Sequence, residues 1–438
     1  MANRALSVRL YGKHIGLLHQ DENGKMGFQY APGVTSTLTL SMPVKEEPYS
    51  QEVCEAYFGG LLPEGESARL AIGKRFGINS KNTFSLLKVI GQDCAGAVSL
   101  HEVAEPESAT DLLPLSGRIL DEKELAVHIK DLPTKPLFLG LDGLRLSLAG
   151  VQDKAAVCLL ENEVALPKDG CPTTHILKPE IHLLKNTVQN EYFCLRIAQK
   201  LGFDVPNVEM RRANGVPYLL IERYDRERVG DKLRRIHQED FCQALGITTT
   251  YKYQKEGGPG FQQCFELLKQ TSQPAKARIR LAEIAIFNYL VGNTDAHGKN
   301  FSLLYKANGG IILAPFYDIL CTQAYSGLTK SMAMEIGGEH QISNIRAEHW
   351  KNFSKVIGFT YPRIKTMIKD QLERLVEAAE SERELMRSGD FDARTLDKMI
   401  LLFKKQVFDA TKRLELNKAS QSQKNLTAKP KKSAIDEA

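Results

Sequence analysis

Apolar and polar positions alternate at the start of the chain. Residues 7–11 (Ser-Val-Arg-Leu-Tyr) read as a strand, and 27–30 and 35–40 as two more. Helical spacing predicts helices over 51–58 and 66–76, and a polar run at 102–111 predicts a linker before a short helix at 121–129. From 143 to 225 the pattern turns β-rich, with strands expected at 154–160, 164–166 and 175–178. One helix interrupts this stretch over about 188–201, where Cys194, Leu195, Ile197, Ala198 and Leu201 share a face and Gly202 supplies the stop. Asn214-Gly215 marks a hairpin turn leading into a strand at 216–223. From 236 onward helical periodicity dominates, at 240–246, 260–270, 274–291, 362–387 and 394–416. A single island interrupts it at 293–320: a polar loop, strands at 301–305 and 311–314 around a turn at 308–310, then Pro-Phe-Tyr-Asp318. The tail 417–438 has no aromatic residue and is expected to be disordered.

These patterns predict an α+β protein with an α/β N-terminal part and a mainly helical C-terminal part. The expected divisions are 1–110, a β-rich 111–225, a helical 226–416 and the tail 417–438. The 438 residues are 42% hydrophobic and 25% charged, as in soluble globular proteins. No apolar run approaches the roughly 18 residues of a membrane span, and the first residues lack a signal-peptide core, so a cytoplasmic protein with no membrane partner is expected. Eight scattered cysteines without a C-x-x-C pair argue for reduced thiols rather than a zinc site. Lysine and arginine number 58 against 53 acidic residues, a net +5. Five lysines against Asp436 and Glu437 place +3 of that in the tail, which leaves only +2 on the body. Such a body is not built mainly to grip a phosphate backbone.

Neither G-x-x-x-x-G-K-[ST] nor G-x-G-x-x-G occurs. A different series does. Asp295 and Asn300, in Gly292-Asn-Thr-Asp-Ala-His-Gly-Lys-Asn300, have the D-x-x-x-x-N spacing of a protein-kinase catalytic loop. There the aspartate takes the acceptor hydroxyl's proton and the asparagine holds Mg²⁺. Asp318 follows a short hairpin, where a kinase places its second metal carboxylate. Upstream, Lys178 ends a strand and Glu191 lies on the next helix, an arrangement that holds ATP phosphates. Glu222 and Tyr224, at the end of the 216–223 strand, are candidates for the adenine hinge. A small-residue loop with Ala149 and Gly150 can bring backbone N–H groups close to phosphate. Each motif alone also fits a cap, a turn or a solvated strand end; their order along the chain is what carries the reading.

The stretches RLSLAGVQDK (145–154), PTTHILK (172–178), NEYFCLRIAQKLG (190–202), ERYDR (222–226), HQEDFCQALG (237–246), KYQKEGGPG (252–260), GNTDAHGKNFSLL (292–304) and APFYDIL (314–320) resemble the HipA family of serine/threonine-kinase toxins. FGGLLPEG (58–65) and IGQDCAGAVS (90–99) resemble its N-terminal region. The resemblance implies a two-lobed, kinase-like fold with ATP between the lobes and ATP and Mg²⁺ as cofactors. It implies Asp295 as catalytic base and Asn300 and Asp318 as Mg²⁺ ligands. For ATP it implies contacts from Lys178, the loop Ala149, Gly150, Val151, Gln152, Asp153 and Lys154, the hinge Glu222, Arg223 and Tyr224, and from His297, Tyr317 and Asp318. Ser147 matches the family's self-phosphorylated, inactivating serine. The implied partners are a HipB-like helix-turn-helix antitoxin, operator DNA through that complex, and a protein substrate in translation such as an aminoacyl-tRNA synthetase. Two alternatives stand beside this: a corepressor scaffold with a vestigial ATP site, and a small-molecule kinase using the same Asp/Asn/Asp logic. His237 is expected near the nucleotide or as a buried structural histidine. Trp350 is expected in a core or interface, and Cys54 and Cys194 as small packed hydrophobes.

Overall fold

In the computed structural model, residues 4–107, 110–138, 147–150, 152–168, 170–307, 309–389 and 391–414 are described. Val151, the turn residue Asn308 and the tail 417–438 lie outside them. The N-terminal layer is an antiparallel sheet of β1 (Arg4–Leu10), β2 (Lys13–Gln20), β3 (Met26–Tyr30) and β4 (Val98–Glu102), in the order β3-β2-β1-β4. Helices α1 (Gln51–Phe58), α2 (Glu66–Phe76) and α3 (Thr83–Ile90) accompany it. Together they bury one apolar cluster, with Val8, Phe28, Tyr57, Phe58 and Phe84 all nearly inaccessible. One expected strand is absent from this layer, and β2, α3 and β4 are additions to what the pattern predicts. Residues 35–40 form only an isolated bridge, Thr39 to Met42; the Leu40 N–H and the Thr39 hydroxyl are instead donated to Glu239. Strand β2 was not expected, since Gly16 and mixed polarity blur its alternation. Helix α3 was not expected either, because eight mostly apolar residues carry no decisive period.

The second sheet is antiparallel, ordered β10-β11-β9-β7-β8-β6. Strand β5 (Leu112–Pro114) precedes it, followed by β6 (Gly117–Ile119), α4 (Glu122–Asp131), β7 (Ala155–Leu160), β8 (Glu163–Pro167) and β9 (His175–Pro179). Helix α5 (Thr187–Lys200) then leads to β10 (Val208–Ala213) and β11 (Val216–Glu222). Asn214 and Gly215 both take positive φ, as a tight hairpin turn requires. A hairpin of β12 (Arg226–Val229) and β13 (Lys232–Arg235) pairs with β5, and β14 (His237–Asp240) crosses to a small sheet with β15 (Ser302–Tyr305) and β16 (Ile311–Leu313). The region after 236 is thus less purely helical than its periodicity implies. A second island, β17 (Ser331–Ile336) and β18 (Glu339–Gln341), also lies within it.

The helical lobe comprises α6 (Phe241–Leu245), α7 (Phe261–Leu267), α8 (Pro274–Val291), α9 (Ala347–Val356), α10 (Tyr361–Leu385) and α11 (Ala393–Arg413). Asp240 caps α6, its carboxylate accepting from the Gln243 N–H at 2.9 Å, while the Gln243 side chain caps Asp240 in return. Helix α8 is buried from Ile284 to Val291 and forms the axis of the core. Trp350 belongs to this core, edge-on to Tyr289 and Phe353. Cys194 packs there, and Cys54 in the N-terminal core, each as an inaccessible apolar residue. Among the described residues, no helix is long and apolar enough to cross a membrane.

Candidate active site

Helix α8 stops at Gly292, whose φ of +71° a side-chain-bearing residue would adopt only with strain. The loop that follows is fixed by its own polar groups. Asn293 is held by Asn288 at 2.9 Å, and Thr294 shares a hydrogen bond with Thr322 at 2.7 Å. The His297 N–H donates to the Asp295 carbonyl and the Asn300 N–H to the His297 carbonyl. Asn300 donates its amide nitrogen to the Asp295 carbonyl at 3.1 Å, which commits that nitrogen and keeps the side-chain oxygen as the donor available to a cation. Asp295 reaches solvent in the cleft, unlike its buried neighbours. Desolvation by the walls still pushes its carboxyl up, against a hydrogen bond from Tyr253 and with a smaller push from Asp318. His297 is buried, and burial followed by the nearby Lys252 charge lowers its pKa to about 3. It is therefore neutral at physiological pH.

Opposite this loop, Lys178 on β9 makes two ion pairs: with Glu191 of α5 at 2.7 Å and with Asp318 at 2.6 Å. Burial alone would lower the lysine's pKa, but the two carboxylates outweigh it and hold the ammonium protonated. Asp318 is raised by burial and lowered more strongly by Lys178 and Lys154, so it stays ionised. Its backbone lies at φ +60°, a left-handed conformation for a non-glycine residue that turns the chain after the β15–β16 hairpin. Tyr317 donates to the Lys299 carbonyl at 2.8 Å and stands near Tyr224, with ring centroids 5.9 Å apart.

Ala149, Gly150, Gln152, Asp153 and Lys154 line the same cleft. Gly150 has φ +108°, and a Cβ there would collide with the Lys154 ammonium. Lys154 donates to the Ala149 carbonyl at 2.9 Å; burial, then the charge of Lys178, lowers its pKa to about 8. Ser147 is inaccessible, its hydroxyl donating to the Leu61 carbonyl at 2.6 Å. Glu222, Arg223 and Tyr224 form the far wall. The N–H groups of Glu222 and Arg223 are already donated to the Asn207 and Thr174 carbonyls, and the Arg223 guanidinium turns away to Asp225 at 2.7 Å. His237 lies outside this arrangement of cleft groups as a buried residue bonded to the Leu38 carbonyl at 2.8 Å.

The cleft that gathers these groups encloses about 750 Å³. It also contains residues that the chain's local patterns do not reveal as functional. Glu64, from the turn after α1, meets Lys252 at 2.7 Å, and Lys299 is buried against Asp240 at 2.6 Å. The stretches FGGLLPEG and KYQKEGGPG hold Glu64 and Lys252-Tyr253, and their sequence similarity is the one signal that pointed there.

A β-rich lobe and a helical lobe enclosing a lysine–glutamate pair, an Asp/Asn loop and a second aspartate define a two-lobed, kinase-like fold of the α+β class. The family model of the HipA N-terminal domain matches residues 6–101, and that of the HipA-like C-terminal domain matches 146–379. The chain belongs to the HipA family. It is 45% identical over 386 residues to a Sinorhizobium fredii protein named "Putative kinase Y4mE", covering 86% of this chain and 91% of that one. It is 31% identical over 334 residues to the serine/threonine-protein kinase toxin HipA of Shewanella oneidensis, covering 73% and 75%. Among solved structures it is similar to the Shewanella oneidensis MR-1 complex of HipA, HipB and operator DNA. The TM-score is 0.79 at 26% identity, over 93% of this chain and 97% of that one.

Proposed function

We propose that this protein is an ATP- and Mg²⁺-dependent serine/threonine-protein kinase and the toxin of a toxin–antitoxin pair. The observation that carries the reading is the Glu191–Lys178–Asp318 chain of ion pairs, in which buried Glu191 backs Lys178 while Lys178 and Asp318 line one cleft with Asp295. Lys178 would bind the α- and β-phosphates, with Glu191 keeping its ammonium aimed. Asp295, its carboxyl raised by desolvation, would orient the acceptor hydroxyl and take its proton. Glu222 and Tyr224, which line the cleft, would meet the adenine edge, and Lys154 with the Gly150 loop would face the phosphates.

The donor set fits Mg²⁺. Among the described residues no three His, Cys, Asp or Glu side chains assemble a ready metal cage. Asn300 and Asp318 instead offer two hard oxygens, the number Mg²⁺ takes when phosphate and water supply the rest. When bound, the ion offsets charge on the transferring phosphoryl group. Asp318 would then turn from Lys178, freeing the ammonium for phosphate.

Ser147 is the proposed self-phosphorylation site. With its hydroxyl buried against Leu61, modification requires the 147–150 segment to leave the N-terminal layer, and a dianion there could not return to an inaccessible position. A HipB-like antitoxin, operator DNA held through it and a protein substrate in translation complete the proposal. Similarity to the HipA–HipB–operator complex over nearly the whole chain supports the first two.

Intact mass before and after incubation with Mg-ATP, with peptide mapping, tests this on wild type and Asp295→Asn. Phosphate on Ser147 of wild type alone is the expected result. Retained phosphorylation in Asp295→Asn would sink the role given to Asp295. ATP binding without transferred phosphate would favour the corepressor scaffold, and phosphorylation of small alcohols but no protein the small-molecule kinase.

A further inference from the structure

The phenol of Tyr253 donates a hydrogen bond of 2.7 Å to Oδ1 of Asp295. That is the distance at which a nucleophilic hydroxyl meets a general base. The bond is built in. The Tyr253 ring stands edge-on to His297, with centroids 5.1 Å apart and planes at 88°. Lys252 lies 5.4 Å from the same ring's centroid, and its ammonium is held by Glu64 at 2.7 Å. The Glu64 N–H in turn donates to the Gly150 carbonyl at 3.1 Å. Tyr253 is thus clamped between the catalytic loop and the N-terminal layer. Two short 3₁₀ turns, Thr249–Tyr251 and Gln254–Glu256, flank it. Gly257, at φ +101°, and Gly258, where a Cβ would strike the Tyr251 carbonyl, fold the segment back so that the Gly258 N–H reaches the Tyr253 carbonyl at 2.9 Å.

We infer that Tyr253 is a specificity-determining residue of the acceptor site, its hydroxyl holding on Asp295 the place of the acceptor hydroxyl. The inference rests on the kinase reading above. Water can form one hydrogen bond to Asp295 but cannot replace the ring contact with His297 or loosen the Lys252–Glu64 pair. An acceptor carried on a protein surface can make enough contacts to displace the 249–260 segment. Tyr253 therefore selects polypeptide hydroxyls and suppresses hydrolysis of bound ATP. In that suppressed reaction, the water oxygen bonds the γ-phosphorus as its bond to the β–γ bridging oxygen breaks. ADP leaves, and the water proton passes to Asp295.

The test is ADP formation from Mg-ATP with no added acceptor, counted beyond one equivalent. It uses the full chain in a Ser147→Ala background, so that self-modification cannot end the assay. Tyr253→Phe should raise kcat about tenfold, the scale of one hydrogen bond to a charged group, with KM for ATP unchanged and the thermal midpoint lowered by only about a few degrees. Glu64→Gln, which loosens the clamp but keeps the phenol, should raise it less. ADP formation in the parent that Tyr253→Phe leaves equal or lowers would overturn the inference alone. So would phosphate mapped to Tyr253 itself, since the phenol would then be an acceptor and not a place-holder. ADP formation no higher than that of Asp295→Asn in the parent and in both variants would likewise overturn the inference, whereas wild type that transfers no phosphate from Mg-ATP to Ser147 or to added protein would overturn the kinase reading beneath it.

Discussion

A buried ammonium is tolerable only while its counter-charges stay in place, and Lys178 has two. Its partner Glu191 is almost wholly inaccessible, so neither can be removed alone without leaving a charge in a poorly solvated place. Lys178→Met should destabilise the protein by about 3–5 kcal/mol in chemical denaturation. Lys178→Met/Glu191→Leu should recover most of that loss but none of the ATP affinity proposed for the site, which separates the structural part of the lysine from its proposed phosphate part. Equal instability of the single and double variants would show that Glu191 is not the charge left stranded. Lys178, Asp295, Asn300 and Asp318 could be picked out of the sequence because each sits at a fixed offset from a strand end, a helix stop or a hairpin. Tyr253 and Glu64 could not. Tyr253 reaches Asp295 across 42 residues and Lys252 reaches Glu64 across 188, so only tertiary packing brings them together.

Between elements, a dense polar joint forms at the turn that follows α3. Asp93 accepts from Arg226 at 2.8 Å and the Thr173 hydroxyl at 2.8 Å, and forms ion pairs with Arg235 at 3.1 Å and Arg223 at 3.6 Å. Burial alone would raise its carboxyl, yet the three guanidinium groups hold it well below the usual carboxylate range. Gly96 completes the joint by donating to Asp225 at 2.7 Å, in a space where a Cβ would lie 2.6 Å from the Gln238 nitrogen. The turn thereby ties the N-terminal layer to the segment that leaves β11 and lines the cleft. Asp93→Asn removes one charge from among three arginines and should cost about 3–5 kcal/mol, seen as a lower denaturant midpoint. An unchanged midpoint would mean that Asp225 alone satisfies the cluster. The same region shows where local pattern fails. The β12–β13 hairpin, Arg-Glu-Arg-Val around Gly230 and Lys-Leu-Arg-Arg, is too charged to read as strands. It pairs because Asp111 and Glu227 meet Arg234 at its surface and Leu233 is buried beneath. Long amphipathic or wholly buried elements such as α8 and α10 were legible because their length exceeds the ambiguity of short apolar runs.

Across the whole molecule, the N-terminal layer closes one side of the cleft. It holds Ser147 through Leu61, pairs Pro63 with Gly150 as an isolated bridge, and reaches Lys252 through Glu64. It also meets the rest of the chain at Glu239, which accepts from Thr39, from the Leu40 N–H at 3.2 Å and from Tyr305. Burial raises this carboxyl to about 7, with the hydrogen bonds from Thr39, Tyr305 and Leu40 opposing. An acid whose folded pKa lies above its unfolded value of 4.5 keeps its proton longer in the folded state. Its contribution is fully present below about pH 4.5 and is lost as pH rises through about 7. A shift of this size corresponds to about 3 kcal/mol at most. Glu239→Gln keeps an acceptor and cannot ionise, so its thermal midpoint should gain on wild type as pH rises from 4.5 to 7 and hold that lead above. If the docking of the N-terminal layer depends on this contact, wild type should also lose protection from proteolysis around Leu61 and Ser147 over the same pH range, and the Gln variant should not. Parallel pH profiles for the two proteins would place the ionisation of Glu239 outside the energetics of docking.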